Sequence, residues 1–171
     1  MSLGLTFGLG LLAALPVPPP PLPPLPAPTP LVGDLYGRWQ PTVVACLHTL
    51  AGAVPGACSA VRVDQRGAGV VRISWPGSDG LSGGSRQLMF VGTLAEGSEP
   101  MPCSQAVCRL SRPTVLSLST VSESVFDARG LARALPSAWS VSGRCRLDAG
   151  RIHCEARSVT GESWEALARL R

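Results

Sequence analysis

Six cysteines in three close pairs are the residues whose chemistry is easiest to predict from this chain. They are Cys46 and Cys58, Cys103 and Cys108, and Cys145 and Cys154. Six cysteines can be joined in fifteen ways, and we predict the nearest-neighbour scheme, in which each bridge closes a short loop and contributes about 2 to 3 kcal/mol. Because disulfides persist in oxidising compartments, the sequence predicts an extracytoplasmic protein, periplasmic or secreted.

Zinc is the alternative use of these side chains. The candidate ligands form two close pairs, Cys46-x-His48 and His153-Cys154. Neither pair has the C-x-x-C or H-x-x-x-H spacing that is typical of structural zinc sites. We therefore expect no metal and no cofactor.

A serine motif suggests nucleophilic catalysis. Residues 80–84 read Gly-Leu-Ser-Gly-Gly and match G-x-S-x-G, which in α/β-hydrolases places the serine, here Ser82, on a strand-to-helix turn. The motif lies in a Gly- and Ser-rich stretch between two strand-like runs, which favours a hairpin loop. A base would have to be His48 or His153. A small serine hydrolase remains the least favoured alternative, and we assign no catalytic residue.

The basic residues do not form a nucleic-acid footprint. All fifteen are Arg, and the formal net charge is +4. They are scattered among acidic residues, and the bias towards Arg, Ala, Gly and Pro is typical of GC-rich codon use. Nucleic-acid sites combine clustered basic residues with exposed aromatics, so we do not expect a nucleic-acid partner.

The N-terminal residues predict export. Residues 1–17 contain an uncharged apolar run that is shorter than the roughly twenty residues of a membrane-spanning helix and resembles the core of a signal peptide. Residues 18–33 are rich in proline and predict an extended polyproline spacer. Residues 34–171 are long enough for a single domain. We expect the N-terminal segment to engage the membrane during export, and its later cleavage or retention stays open.

The remaining patterns predict an α+β domain: a small antiparallel sheet, a meander of hairpins, with one or two short helices. Helical spacing and flanking Pro and Gly predict helices at 42–51 and 127–135. Alternation predicts a hairpin over 61–75 and strands at 86–94 and 114–121. Residues 162–171 fit a helix or an edge strand equally well.

The clearest hairpin is predicted over residues 139–158, with a two-residue turn at Ala149-Gly150. This register sets Cys145 opposite Cys154 at a non-hydrogen-bonded site, close enough for a disulfide. The other facing pairs are Leu147 with Ile152 on the same face, and Asp148 with Arg151, Arg146 with His153 and Arg144 with Glu155. We therefore interpret Arg144, Arg146, Arg151 and His153 as partly neutralised surface residues and not as an anion site.

Residues Gly37-Arg38-Trp39 resemble the G-x-W of the first strand of lipocalins. The resemblance covers three residues, and it implies a β-barrel that carries a small ligand, with Trp39 in its cavity. The helical pattern that follows Pro41 departs from that family. Trp39, Trp75, Trp139 and Trp164 are also explained as core aromatics. The favoured interpretation is a non-catalytic interaction or structural domain whose partner, not identified by the sequence, would be another extracytoplasmic protein; a lipocalin-like carrier is the alternative.

Overall fold

β-strands make up the regular structure of the residues that can be described. The computed structural model describes residues 35–67, 69–78 and 83–171. The strands are β1 (Gly37–Trp39), β2 (Val43–Thr49), β3 (Gly56–Ala57), β4 (Arg62–Arg66), β5 (Val70–Ser78), β6 (Ser85–Leu94), β7 (Cys103–Ser104), β8 (Val107–Cys108), β9 (Thr114–Phe126), β10 (Ser137–Asp148), β11 (Arg151–Ser158) and β12 (Ser163–Leu170). These residues contain no helix, so the predicted α+β class is wrong and the domain is all-β.

All twelve strands belong to one sheet, in the order β3-β2-β12-β11-β10-β9-β6-β5-β4-β1-β8-β7. Neighbours are antiparallel except β1 and β8, which are parallel. Only residues 40–42 separate β1 from β2, yet β1 pairs with β4 and β2 pairs with β12. The short link forces the sheet to curl into a half-barrel, and a bridge between Cys58 and Gly77 adds a further contact across the curl.

Alternating side chains on the inner face of the curled sheet form the core. Its largest fully buried members are Trp75, Trp164, Phe90, Ile73, Leu88, Leu116, Leu147 and Ile152. The Cys145–Cys154 disulfide lies among them, with both cysteines fully buried. Side chains of the described residues therefore pack across the interior of the curled sheet.

The predicted helix at 42–51 is strand β2. Cys46, His48 and Leu50 alternate towards the core, whereas Leu47 is exposed. The helical prediction used the spacing of the aliphatic residues alone. It missed the alternation because two of the three inward-facing residues, Cys46 and His48, are not aliphatic. Pairing with β12 over the length of the strand then decides the conformation, since strand formation depends on tertiary partners.

The predicted helix at 127–135 is a tight loop. The Asp127 carboxylate accepts hydrogen bonds from the backbone N–H groups of Arg129 and Leu131, both at 2.9 Å. Asp127 therefore caps a turn and not a helix, because Gly130 adopts a φ of 79° and reverses the chain. A bridge from Phe126 to Ala132 completes the turn instead of a second helical turn.

Both predicted hairpins are confirmed. The 61–75 hairpin is formed by β4 and β5, and the 139–158 hairpin by β10 and β11, whose register sets Cys145 opposite Cys154 and Leu147 opposite Ile152. The strands predicted at 86–94 and 114–121 lie within β6 and β9. Residues 163–170 form a strand, but β12 lies between β11 and β2 and not at the edge of the sheet.

Three disulfides join the neighbouring cysteines: Cys46–Cys58, Cys103–Cys108 and Cys145–Cys154. They are consistent with an oxidising location outside the cytosol. Across the described residues, no helix is long and apolar enough to cross a membrane. The predicted signal segment (1–17) and proline spacer (18–33) lie outside the described residues, as does Ser82.

Candidate functional site

An open groove of about 760 Å³ runs along β1. Its base is formed by residues 36–40 and by Asp64, Gln65 and Arg66 of β4. The short hairpin of β7 and β8 contributes residues 105–108. The volume lies within the 300–1,000 Å³ that is usual for small-molecule sites.

Gly37 allows the hairpin to approach β1. A Cβ atom at this position would lie 2.7 Å from Cys108 Sγ and 2.8 Å from the carbonyl carbon and oxygen of Ala106. Because Gly37 has no side chain, the Arg38 N–H can donate to the Ala106 carbonyl at 2.9 Å. Gly37 therefore has a structural role here, because it allows the β7–β8 hairpin, which forms the groove wall, to lie directly against β1.

The tip of the β7–β8 hairpin has an unusual backbone. Gln105 and Ala106 adopt φ angles of 50° and 61°, a left-handed conformation that costs a residue with a Cβ roughly 1–2 kcal/mol. The Cys103–Cys108 disulfide closes the hairpin, with Cα atoms 4.0 Å apart. The covalent bridge holds this strained tip against β1, so the groove wall is fixed before any ligand arrives.

Gln65 stabilises the base of the groove from below. Its side chain is buried, and its Nε2 donates to the carbonyl oxygens of Met101 at 3.0 Å and of Leu35 at 3.1 Å. Its Oε1 accepts the Met101 N–H at 2.8 Å. One amide thus ties β4 both to the segment that precedes β1 and to the segment that precedes β7.

Arginine side chains surround a single carboxylate on the outer face of β1, β4 and β5. The Arg38 Nε donates to Asp64 Oδ1 at 2.7 Å, and Arg72 is the partner of Asp64 across the β4–β5 ladder. Arg62 and Arg66 lie two residues to either side of Asp64 on the same face. Of these arginines, Arg38 and Arg66 line the groove, which therefore carries a net positive charge.

A second polar cluster lies inside the curled sheet. Glu123 accepts hydrogen bonds from the Trp164 indole N–H at 2.7 Å and from the Ala51 N–H at 3.2 Å. The Trp164 ring packs against Trp139, with ring centroids 5.0 Å apart. Because Trp164 is 1% exposed, this indole joins β12 to β9 within the core.

His48 belongs to the same end of the interior. It is 5% exposed, and its Nδ1 has no hydrogen-bond partner among the described residues. Its ring lies so close to Gly77 that a Cβ there would be 2.8 Å from His48 Cε1. Burial lowers the pKa of His48; Glu123 partly opposes this shift, and Arg86 adds to it.

The two histidines considered as catalytic bases lie on opposite faces of the sheet. His48 faces inward, whereas His153 pairs with Glu165 on the outer face, with 3.0 Å between Nε2 and Oε1. Cys46 and Cys154 are in disulfides and are not available as thiolates. In the described part of the chain, no three His, Cys, Asp or Glu residues are placed to hold a metal ion.

The arginine-rich face of the β10–β11 hairpin forms only a small depression of about 160 Å³. Arg144 faces Glu155 and Asp148 faces Arg151, as predicted. The ion pair of Asp148, however, is with Arg146 on its own strand, at 2.8 Å. The charge of Asp148 is therefore neutralised by Arg146 on the same strand and not by Arg151 across the turn.

No protein-family model, no curated protein sequence and no solved structure matches this chain. The fold and the groove therefore define the class of protein: a disulfide-braced all-β domain with an open external groove.

Proposed function

We propose that the protein is a non-catalytic binding domain that acts outside the cytosol and holds its ligand in the groove along β1. The observation that supports this proposal most strongly is the preformed wall of the groove. The Cys103–Cys108 disulfide and the buried Gln65 amide hold that wall in place. A rigid site binds at a lower entropic cost than a site that must be ordered by its ligand.

A lipocalin-like carrier is the second candidate, and strand pairing supports it. The strand that contains Gly37 and Trp39 pairs with β4, and its continuation β2 pairs with the last strand, β12. In an up-and-down barrel the first strand likewise meets the last. Since side chains fill the interior, this candidate would also use the external groove, which Trp39 helps to line.

The extracytoplasmic location is proposed from the disulfides and from the apolar N-terminal run. We expect the protein isolated from its native host to lack some or all of residues 1–27 and to gain two hydrogens per disulfide on reduction. Intact-mass measurement before and after reduction checks both points. A chain that begins at Met1 and carries six free thiols would contradict this location.

Binding in the groove is tested by filling it. Val107 is 59% exposed and lines the groove, so Val107→Trp is expected to place an indole where the ligand lies. We expect this variant to bind the neutral fluorescent probe N-phenyl-1-naphthylamine at least about tenfold more weakly than the native protein, a loss of roughly 1.4 kcal/mol. Fluorescence titration measures the change.

The matched control is Val159→Trp. Val159 is 96% exposed, in the turn between β11 and β12, so the same change there leaves the groove open. Its probe affinity should equal that of the native protein. If both tryptophan variants bind the probe as the native protein does, the groove is not the binding site.

A further inference from the structure

We propose that the ligand of the groove is a small organic anion with an apolar body, a single carboxylate, sulfonate or phosphate group attached to an aromatic or aliphatic frame. The proposal rests on the proposed function, because it assigns a ligand class to the same groove.

Charge supports the anionic part of the ligand. Arg38 uses its Nε for Asp64, so its two terminal nitrogens can still donate hydrogen bonds. Arg66 lies on the same face, and no carboxylate among the described residues lies within ion-pair distance of it. A guanidinium presents paired donors that match the oxygens of an acid group. One ligand anion can therefore neutralise the positive charge of Arg38 and Arg66 that Asp64 does not balance.

Exposed apolar side chains support the apolar part. The Tyr36 side chain is 65% exposed, and its hydroxyl lies near the β4–β5 turn, 3.5 Å from the position of a Cβ on Gly67. Val107 contributes an exposed aliphatic side chain from the hairpin. The ring and the arginines lie together in one groove, so one molecule can contact both an apolar surface and a cation.

The same features disfavour a nucleic acid. Single-stranded nucleic acids stack successive bases on several exposed aromatic side chains. Among the described residues of this groove, the Tyr36 ring is exposed and the Trp39 ring is partly buried against the core, so the groove has no series of exposed aromatic rings. The groove therefore suits one compact anion better than a polyanion.

The test compares two fluorescent probes with closely similar ring systems. 8-Anilinonaphthalene-1-sulfonate carries a sulfonate group, and N-phenyl-1-naphthylamine does not. We expect the sulfonate to bind the native protein about tenfold more tightly, because charge-assisted hydrogen bonds at a half-exposed site are favourable but weakened by solvent. Arg66→Gln should remove this advantage and leave the neutral probe unaffected, and Arg66→Lys should restore part of it.

Arg112→Gln is the matched control. Arg112 is exposed and pairs with Glu99 away from the groove, so both affinities should stay as in the native protein. If the two probes bind equally and Arg66→Gln changes neither, the ligand class is wrong although the groove still binds. If neither probe is sensitive to Val107→Trp, the proposed function itself fails. Displacement of the sulfonate probe by a heparin oligosaccharide at lower concentration than by the small anion benzenesulfonate would assign the arginines to a polyanion instead.

Discussion

Trp164→Ala is expected to destabilise the protein by about 3–5 kcal/mol, the usual cost of truncating a fully buried tryptophan. The indole is 1% exposed, packs against Trp139 and donates its N–H to Glu123. Truncation leaves a cavity and also removes one of the two hydrogen bonds of the Glu123 carboxylate. Urea unfolding of the oxidised protein measures the change in the free energy of unfolding.

Two further variants separate packing from hydrogen bonding at this site. Trp164→Phe keeps an aromatic ring and loses the N–H donor, so we expect a smaller cost of about 1–2 kcal/mol. Trp139→Ala truncates the partly buried member of the ring pair and should also cost less than Trp164→Ala. The account of this cluster is wrong if Trp164→Ala and Trp139→Ala are equally mild.

Acid is expected to destabilise the protein through His48. Burial lowers the pKa of this histidine in the folded state, whereas its pKa in the unfolded chain is near 6.5. As the pH falls below about 6.5, the unfolded chain binds a proton that the folded protein excludes. The free energy of unfolding should therefore be level near pH 7 and above and should fall with pH below that, until the folded-state pKa is reached.

Matched variants assign this pH dependence to one residue. His48→Leu should abolish the loss of stability between pH 7 and pH 5, whereas His153→Leu, on the outer face, should retain it. Asp127 and Glu162 do not interfere in this range. Hydrogen bonds from Leu131 N–H and from the Ser158 hydroxyl, respectively, lower the pKa of these carboxyls, so the stability that they contribute is lost only in more acidic solution. Equal pH profiles for both histidine variants would exclude His48 as the cause.

Local patterns predicted only those parts of the fold that local interactions determine. The β10–β11 hairpin was predictable because its turn, its facing cysteines and the Leu147–Ile152 pair agree on one register. The segment at 42–51 was not, because its strand conformation depends on β12 at the other end of the chain. A short apolar run can have the same composition in a helix and in a strand, so its conformation depends on the segment with which it pairs.

The groove could not be predicted from the sequence, although two of its components show a local pattern. Gly37 and Trp39 belong to a G-x-W tripeptide, and the spacing of Cys103 and Cys108 predicts a small disulfide loop. The sequence pattern does not indicate that this loop lies beside β1. The contact consists of one parallel partner pair, Arg38 with Val107, which is too short to leave a pattern in the sequence. The turn residues Gln105 and Ala106 also lack the Asn or Gly that identifies tight hairpins. No motif or spacing in the sequence indicates that Tyr36, Arg66 and Val107 line a common groove.

The pairing of β2 with β12 joins two strands that lie far apart in the sequence. During synthesis β2 is made early, but its long ladder forms only when Ser163–Leu170 has been completed. A chain that stops before β12 leaves β2 and β11 with open edges, which are the sites where unpaired strands associate with other chains. The pairing of β12 with both neighbours therefore removes two aggregation-prone edges in one step.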